Sequence, residues 1–112
     1  MPIFITQGRF TQQALKGMLA RPEDRAEAVG EFIAKAGGRM IAYYMTFGEY
    51  DFLTISEGPF DGAATGAIVA GASGAVTDLK TTFAMTSAEM KAAFTKAGSI
   101  TASFHPAGVP LP

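Results

Sequence analysis

At 112 residues, with 48% hydrophobic and 17% charged side chains, the chain is the size of one domain that can bury its own core, and too small to hold two. A formal charge of -1 excludes the basic field that nucleic acid or an anionic membrane surface requires. The absence of cysteine excludes a disulfide framework, a thiolate nucleophile and Cys-based zinc or iron–sulfur centres.

Residues 3 to 10, IFITQGRF, begin with β-branched and aromatic side chains and predict a strand, after which Thr11 can cap a helix. The segment KGMLAR, residues 16 to 21, fits either a separate short helix or the first part of a bent one. Pro22-Glu23-Asp24 suits a first helical turn, where a missing N–H costs nothing and negative charge favours the dipole; Ala26, Val29, Ile33 and Ala36 then recur at helical spacing up to Gly37-Gly38. RMIAYYMTF, residues 39 to 47, and FLTIS, residues 52 to 56, predict an antiparallel hairpin joined by Gly48-Glu49-Tyr50-Asp51. Strict alternation puts Ile41, Tyr43, Met45 and Phe47 on the helix-covered face and Met40, Ala42, Tyr44 and Thr46 on the other.

Pro59-Phe60-Asp61 opens a helix carrying Ala63, Ala64, Ala67, Ile68, Ala70 and Gly71, whose small side chains predict a very close approach to whatever it covers. Its glycines each cost about 1 kcal/mol relative to alanine, so this helix requires tertiary support. AVTDLKTTFAM predicts a fourth strand, with Val76, Asp78, Lys80 and Thr82 on one face and Thr77, Leu79, Thr81 and Phe83 on the other. Thr86 followed three residues later by Glu89 marks a capped helix running through Met90, Ala93 and Phe94 to Gly98. Residues 98 to 112 have three prolines and no helical period, and read as an extended tail that docks on a neighbouring surface or stays partly disordered.

The order β-α-β-β-α-β with an added C-terminal helix predicts an α+β, ferredoxin-like sandwich over residues 1 to 97: a four-stranded antiparallel sheet with helices on one face. The low charge content predicts that the uncovered face is buried against another copy, two sheets closing into a dimeric α/β barrel. The N-terminus lacks a signal-peptide pattern and no apolar run approaches a membrane span, so a cytoplasmic protein is expected.

The hairpin YYMTFGEYDFLTI, the opening MPIFITQGRFTQQALKG, the segment RPEDRAEAVGEFIAKAGGR and the strand VTDLKTTFAMTSAEM together resemble the GYD domain family of small bacterial and archaeal proteins. Gly48, Tyr50 and Asp51 stand at the three name-giving positions, with Glu49 in the variable slot. The resemblance covers about residues 1 to 97 and implies a ferredoxin-like, dimeric barrel-type fold. It implies no activity.

Two readings of the GEYD segment stand side by side, with a structural tyrosine at an oligomer contact as a third. As a turn, Gly48 supplies a positive φ, Asp51 accepts backbone N–H groups and the Tyr50 ring folds over the hairpin with its hydroxyl on a polar partner. As a site, Tyr50 and Asp51 are the catalytic candidates at a cavity rim, a hydroxyl donor and a base, with Tyr44, Gly48 and Glu49 completing a ligand-binding set. Arg9, Asp78 and Lys80 lie in predicted strands, where a charge is usually solvated, although two of them could instead meet inside a cavity. His105, the only histidine, sits in the tail beside Pro106 and reads as exposed or docked; no spacing of His, Asp or Glu predicts a metal site, and no cofactor is expected. Neither Gly37-Gly38 nor GASGA fits a phosphate loop, and the methionines read as core filler. The expected function is a homo-oligomer that binds a small molecule or partner without catalysis. A cofactor-independent isomerase or monooxygenase working between sheet faces is the alternative, and a structural assembly subunit a third. A closed apolar cavity with converging polar groups distinguishes the first two from the last.

Overall fold

Strand β1 (Ile3–Phe10) leads into helix α1 (Gln12–Ala20), and Thr11 caps that helix by accepting from the Ala14 N–H. The structure is a computed structural model describing residues 1–111, so that Pro112, the end of the expected tail, lies outside it. KGMLA belongs to this first helix, which stops at Ala20. Helix α2 (Arg25–Lys35) starts one turn later than the proline suggests, because the Asp24 carboxylate accepts from the Ala26 N–H and makes Asp24 the cap, leaving Pro22 and Glu23 outside. It ends in a Schellman motif: Gly37 takes φ +91° and donates to Ala34, while Gly38 donates to Ile33.

Strands β2 (Arg39–Met45) and β3 (Phe52–Glu57) form the expected hairpin, helix α3 (Phe60–Ala72) follows, and β4 (Val76–Ala84) completes a four-stranded sheet in the order β2-β3-β1-β4. All three pairings are antiparallel, and with helices in both crossovers this is the α+β ferredoxin-like arrangement.

Two bulges break the strict alternation expected of the edge strands. The register slips between Met40 and Ala42, so Met40 pairs with Ser56 and points to the helix side, its Cε close to Gly30 of α2. Tyr43 and Met45 face the same way, whereas Ile41 is extruded and exposed and Phe47 lies beyond the strand in solvent. In β4 the chain bulges at Asp78, whose φ of +54° is left-handed, opposite Gly8 of β1. Val76 thereby joins Leu79 and Thr81 beneath the helices instead of sharing a face with Lys80 and Thr82. Gly8 is required at that point: a Cβ there would lie 2.7 Å from the Phe52 ring and 2.9 Å from Leu79.

The core is thin. Phe4 and Phe52 are its buried apolar side chains, joined by buried Thr54, with Phe4, Phe60 and Phe83 forming an aromatic cluster at one end. Of the methionines expected as filler, Met45 and Met90 are exposed. Beyond the sheet, helix α4 (Ser87–Ile100) runs through Gly98, which does not end it, into a 3-10 turn at Thr101–Ser103; the extended tail therefore starts only at Phe104. Thr86 and Glu89 form the full capping box. Every residue of α4 is exposed, and the molecule measures 67 × 28 × 24 Å.

Candidate functional site

Helix α3 meets the sheet with glycine and alanine where a core helix carries leucine. Of its larger side chains Ile68 turns outward to solvent and Val69, half exposed, reaches only the cavity's edge, so the sheet-facing side consists mainly of Gly62, Ala63, Gly66, Ala67 and Ala70. The small residues do bring its first turn close to α2, since a Cβ on Gly62 would collide with the Ala36 carbonyl. Over the sheet, however, they leave a void where close approach was expected. The result is a cavity of about 340 Å³ between the sheet and helices α2 and α3.

Phe4, Phe10 and Phe52 floor this cavity from the central strands, Tyr43 and Leu79 come from the edges, and Val29, Phe32 and Ile33 descend from α2. Phe52 lies between Phe10, at 5.2 Å, and a stacked Tyr43, at 6.3 Å between ring centroids, giving three aromatic faces in a row. Polar groups are few. Thr6 and Thr81 share a 3.2 Å hydroxyl hydrogen bond across β1 and β4, Thr54 lies between them and Tyr43, and the Tyr43 hydroxyl donates to the Met45 sulfur at 3.3 Å.

Arg25 is the only cationic side chain lining the cavity and Tyr43 its only other titratable one, among the described residues. Burial pushes the Tyr43 phenol above its ordinary value against the opposing pull of the Arg25 guanidinium, so Tyr43 is a neutral hydroxyl at physiological pH. Arg25 pairs with Glu23 at 2.7 Å on an exposed edge, which leaves its remaining N–H groups available. The chemistry on offer is a half-open apolar cleft with hydroxyl and guanidinium donors.

None of the residues singled out in the GEYD segment lines this cavity. Beyond the Gly8–Phe52 pair, β1 continues to Phe10 with no further partner in β3, and Asp51 supplies the missing contacts: its N–H donates to the Gly8 carbonyl and its carboxylate accepts from the Phe10 N–H, both at 2.8 Å. The Thr46 N–H donates to the Asp51 carbonyl at 2.8 Å and the Thr46 hydroxyl to the Tyr50 carbonyl at 2.7 Å, closing the hairpin. The Tyr50 hydroxyl makes no hydrogen bond among the described residues. Gly48, with φ +159°, and Glu49 are exposed. Tyr44 pairs with Leu53 on the helix-free face and is 61% exposed, so the sheet separates it from the cavity.

Arg9, Asp78 and Lys80 are exposed, line no part of the cavity and form no ion pair among the described residues, and His105 is exposed in the tail. No cluster of three His, Asp or Glu side chains that could hold a metal occurs among the described residues, and no helix is long and apolar enough to cross a membrane. Sequence reasoning missed the cavity residues. The signal was present in FDGAATGAIVAGA, whose small side chains imply either a close approach or a void.

The model of the GYD domain family matches residues 4–94. No curated protein matches the chain. Among solved structures, the chain is similar to one described as FFRP-DM1, with 15% identity, covering 76% of this chain and 100% of that one at a TM-score of 0.44. It is also similar to TTHA0845 from Thermus thermophilus, with 18% identity, 78% and 96% coverage and a TM-score of 0.47.

Proposed function

The chain belongs to the GYD domain family, and from that premise we propose that it is a homo-oligomeric binding protein that encloses a small apolar molecule, aromatic or aliphatic, without transforming it. The observation that carries this reading is the cavity of about 340 Å³ under α2 and α3, within the size range of small-molecule sites and walled by aromatic rings. Apolar surface provides the affinity; the Thr6, Thr54 and Thr81 hydroxyls, with Arg25 at the rim, orient a ligand carrying one polar end. The lining favours binding over acid–base catalysis, because it holds neither carboxylate nor histidine and its one phenol is pushed away from neutral pH.

The test uses 1-anilinonaphthalene-8-sulfonate, whose fluorescence rises in an apolar enclosure. A Cβ on Gly66 would stand 3.8 Å from the Phe32 ring, so Gly66→Leu directs a side chain into the void without disturbing the backbone. The expected result is saturable binding to the native chain and at least tenfold weaker binding to Gly66→Leu. Binding that is unchanged in Gly66→Leu would place the probe outside the cavity and end this reading.

A further inference from the structure

Helix α4 and the segment after it form an arm with no place of its own to pack. The helix makes substantial contact with no element except the 3-10 turn that follows it, and the radius of gyration of 18.7 Å far exceeds the roughly 13 Å of a compact chain of this length. The arm is amphipathic all the same. Met90, Ala93, Phe94, Ala97 and Ile100 recur at helical spacing along one stripe, continued by Phe104, while Lys91, Thr95 and Lys96 project to the other side. Phe94 is 71% and Phe104 76% exposed.

We propose that this arm lies across the helix-free sheet face of a second copy of the chain, in a reciprocal two-fold exchange. That face carries Ile3, Ile5, Leu53, Ile55 and Tyr44 in register across β1, β3 and β2, and no element among the described residues covers it. The dimensions match: a helix of 14 residues spans about 21 Å, whereas four strands extend about 14 Å between their outer axes. One chain does not make this contact with itself, because α4 has no substantial contact with any of its own strands in a molecule 67 Å long. A two-fold operation supplies each face with an arm and leaves no arm over. Phe94 and Phe104 of two arms, with the surface they cover, reach on the order of 1,000 Å² of buried area before Met90 and Ile100 are added, which approaches a standard interface. The capping box at Thr86 and Glu89 keeps the helix formed before it docks.

This inference rests on the self-association in the proposed function and specifies its contact. Light scattering on the full chain should give twice the chain mass, and Phe94→Glu should give a monomer with unchanged circular dichroism. Because the chain lacks cysteine, chains carrying Phe94→Cys and chains carrying Ile55→Cys can be mixed with a short bis-maleimide, and a cross-linked heterodimer is expected. A native monomer would end both the inference and the self-association. A dimer indifferent to Phe94→Glu, or Ile55→Cys cross-linked only to itself, would end the arm exchange alone and mean that the sheets face each other directly.

Discussion

The Asp51 carboxylate takes the Phe10 N–H at the point where β1 outruns its last partner in β3, and the Asp51 N–H holds the Gly8 carbonyl one step earlier. Removing the carboxylate leaves a half-buried backbone donor without an acceptor, a loss of about 1–3 kcal/mol. Asp51→Ala should therefore lower the urea midpoint accordingly. Tyr50 differs, since its contribution to the hairpin is a backbone carbonyl that accepts from the Thr46 hydroxyl. With no partner on its own hydroxyl, Tyr50→Phe should shift stability by less than about 0.5 kcal/mol. The turn chemistry of GEYD was legible in the sequence for Asp51, because a carboxylate beside a hairpin has backbone donors within reach. It was not legible for the Tyr50 hydroxyl, whose partner depends on what the ring packs against.

At the scale of elements, caps and turn signals transferred well. Thr11, Thr86 with Glu89, and Gly37-Gly38 act where local chemistry places them, because a cap needs only its own first or last turn. What local chemistry cannot show is a bulge. The faces of Met40 and Val76 reversed because one extra residue in each edge strand shifts the two-residue period, and that residue is decided by the partner strand. Glu89 gives this scale its prediction. Hydrogen bonds from the Thr86 backbone and side chain hold its carboxyl below the usual glutamate range. A depressed folded-state pKa means that the capping contribution is fully present above the unfolded value, about 4.3, and is lost as pH falls through the folded one. Helical dichroism from α4 should decline across that acidic window, and Glu89→Gln, which cannot titrate, should flatten the decline.

Taken whole, the molecule combines a thin core with two large unpartnered surfaces. The succession of strands and helices along the chain was readable because hydrophobic period and turn residues specify it, whereas the cavity and the projecting arm arise from how elements are spaced in three dimensions. A core whose buried apolar side chains are Phe4 and Phe52 provides little stability by burial, so covering the sheet and the arm stripe should supply much of the total. Stability should then depend on concentration, since unfolding a dimer releases two chains. Each tenfold rise in concentration adds about 1.4 kcal/mol to the dimer, and the unfolding entropy of two chains of this length converts that into roughly 3 °C. Melting curves over a hundredfold concentration range should therefore move upward by roughly twice that amount for the native chain. A chain carrying both Phe94→Glu and Phe104→Glu should melt lower and at one temperature throughout, because it has lost the contact whose mass action the concentration drives. If the native chain also melts at a single temperature, its stability resides within one protomer, and the exposed stripe of α4 contributes nothing to it.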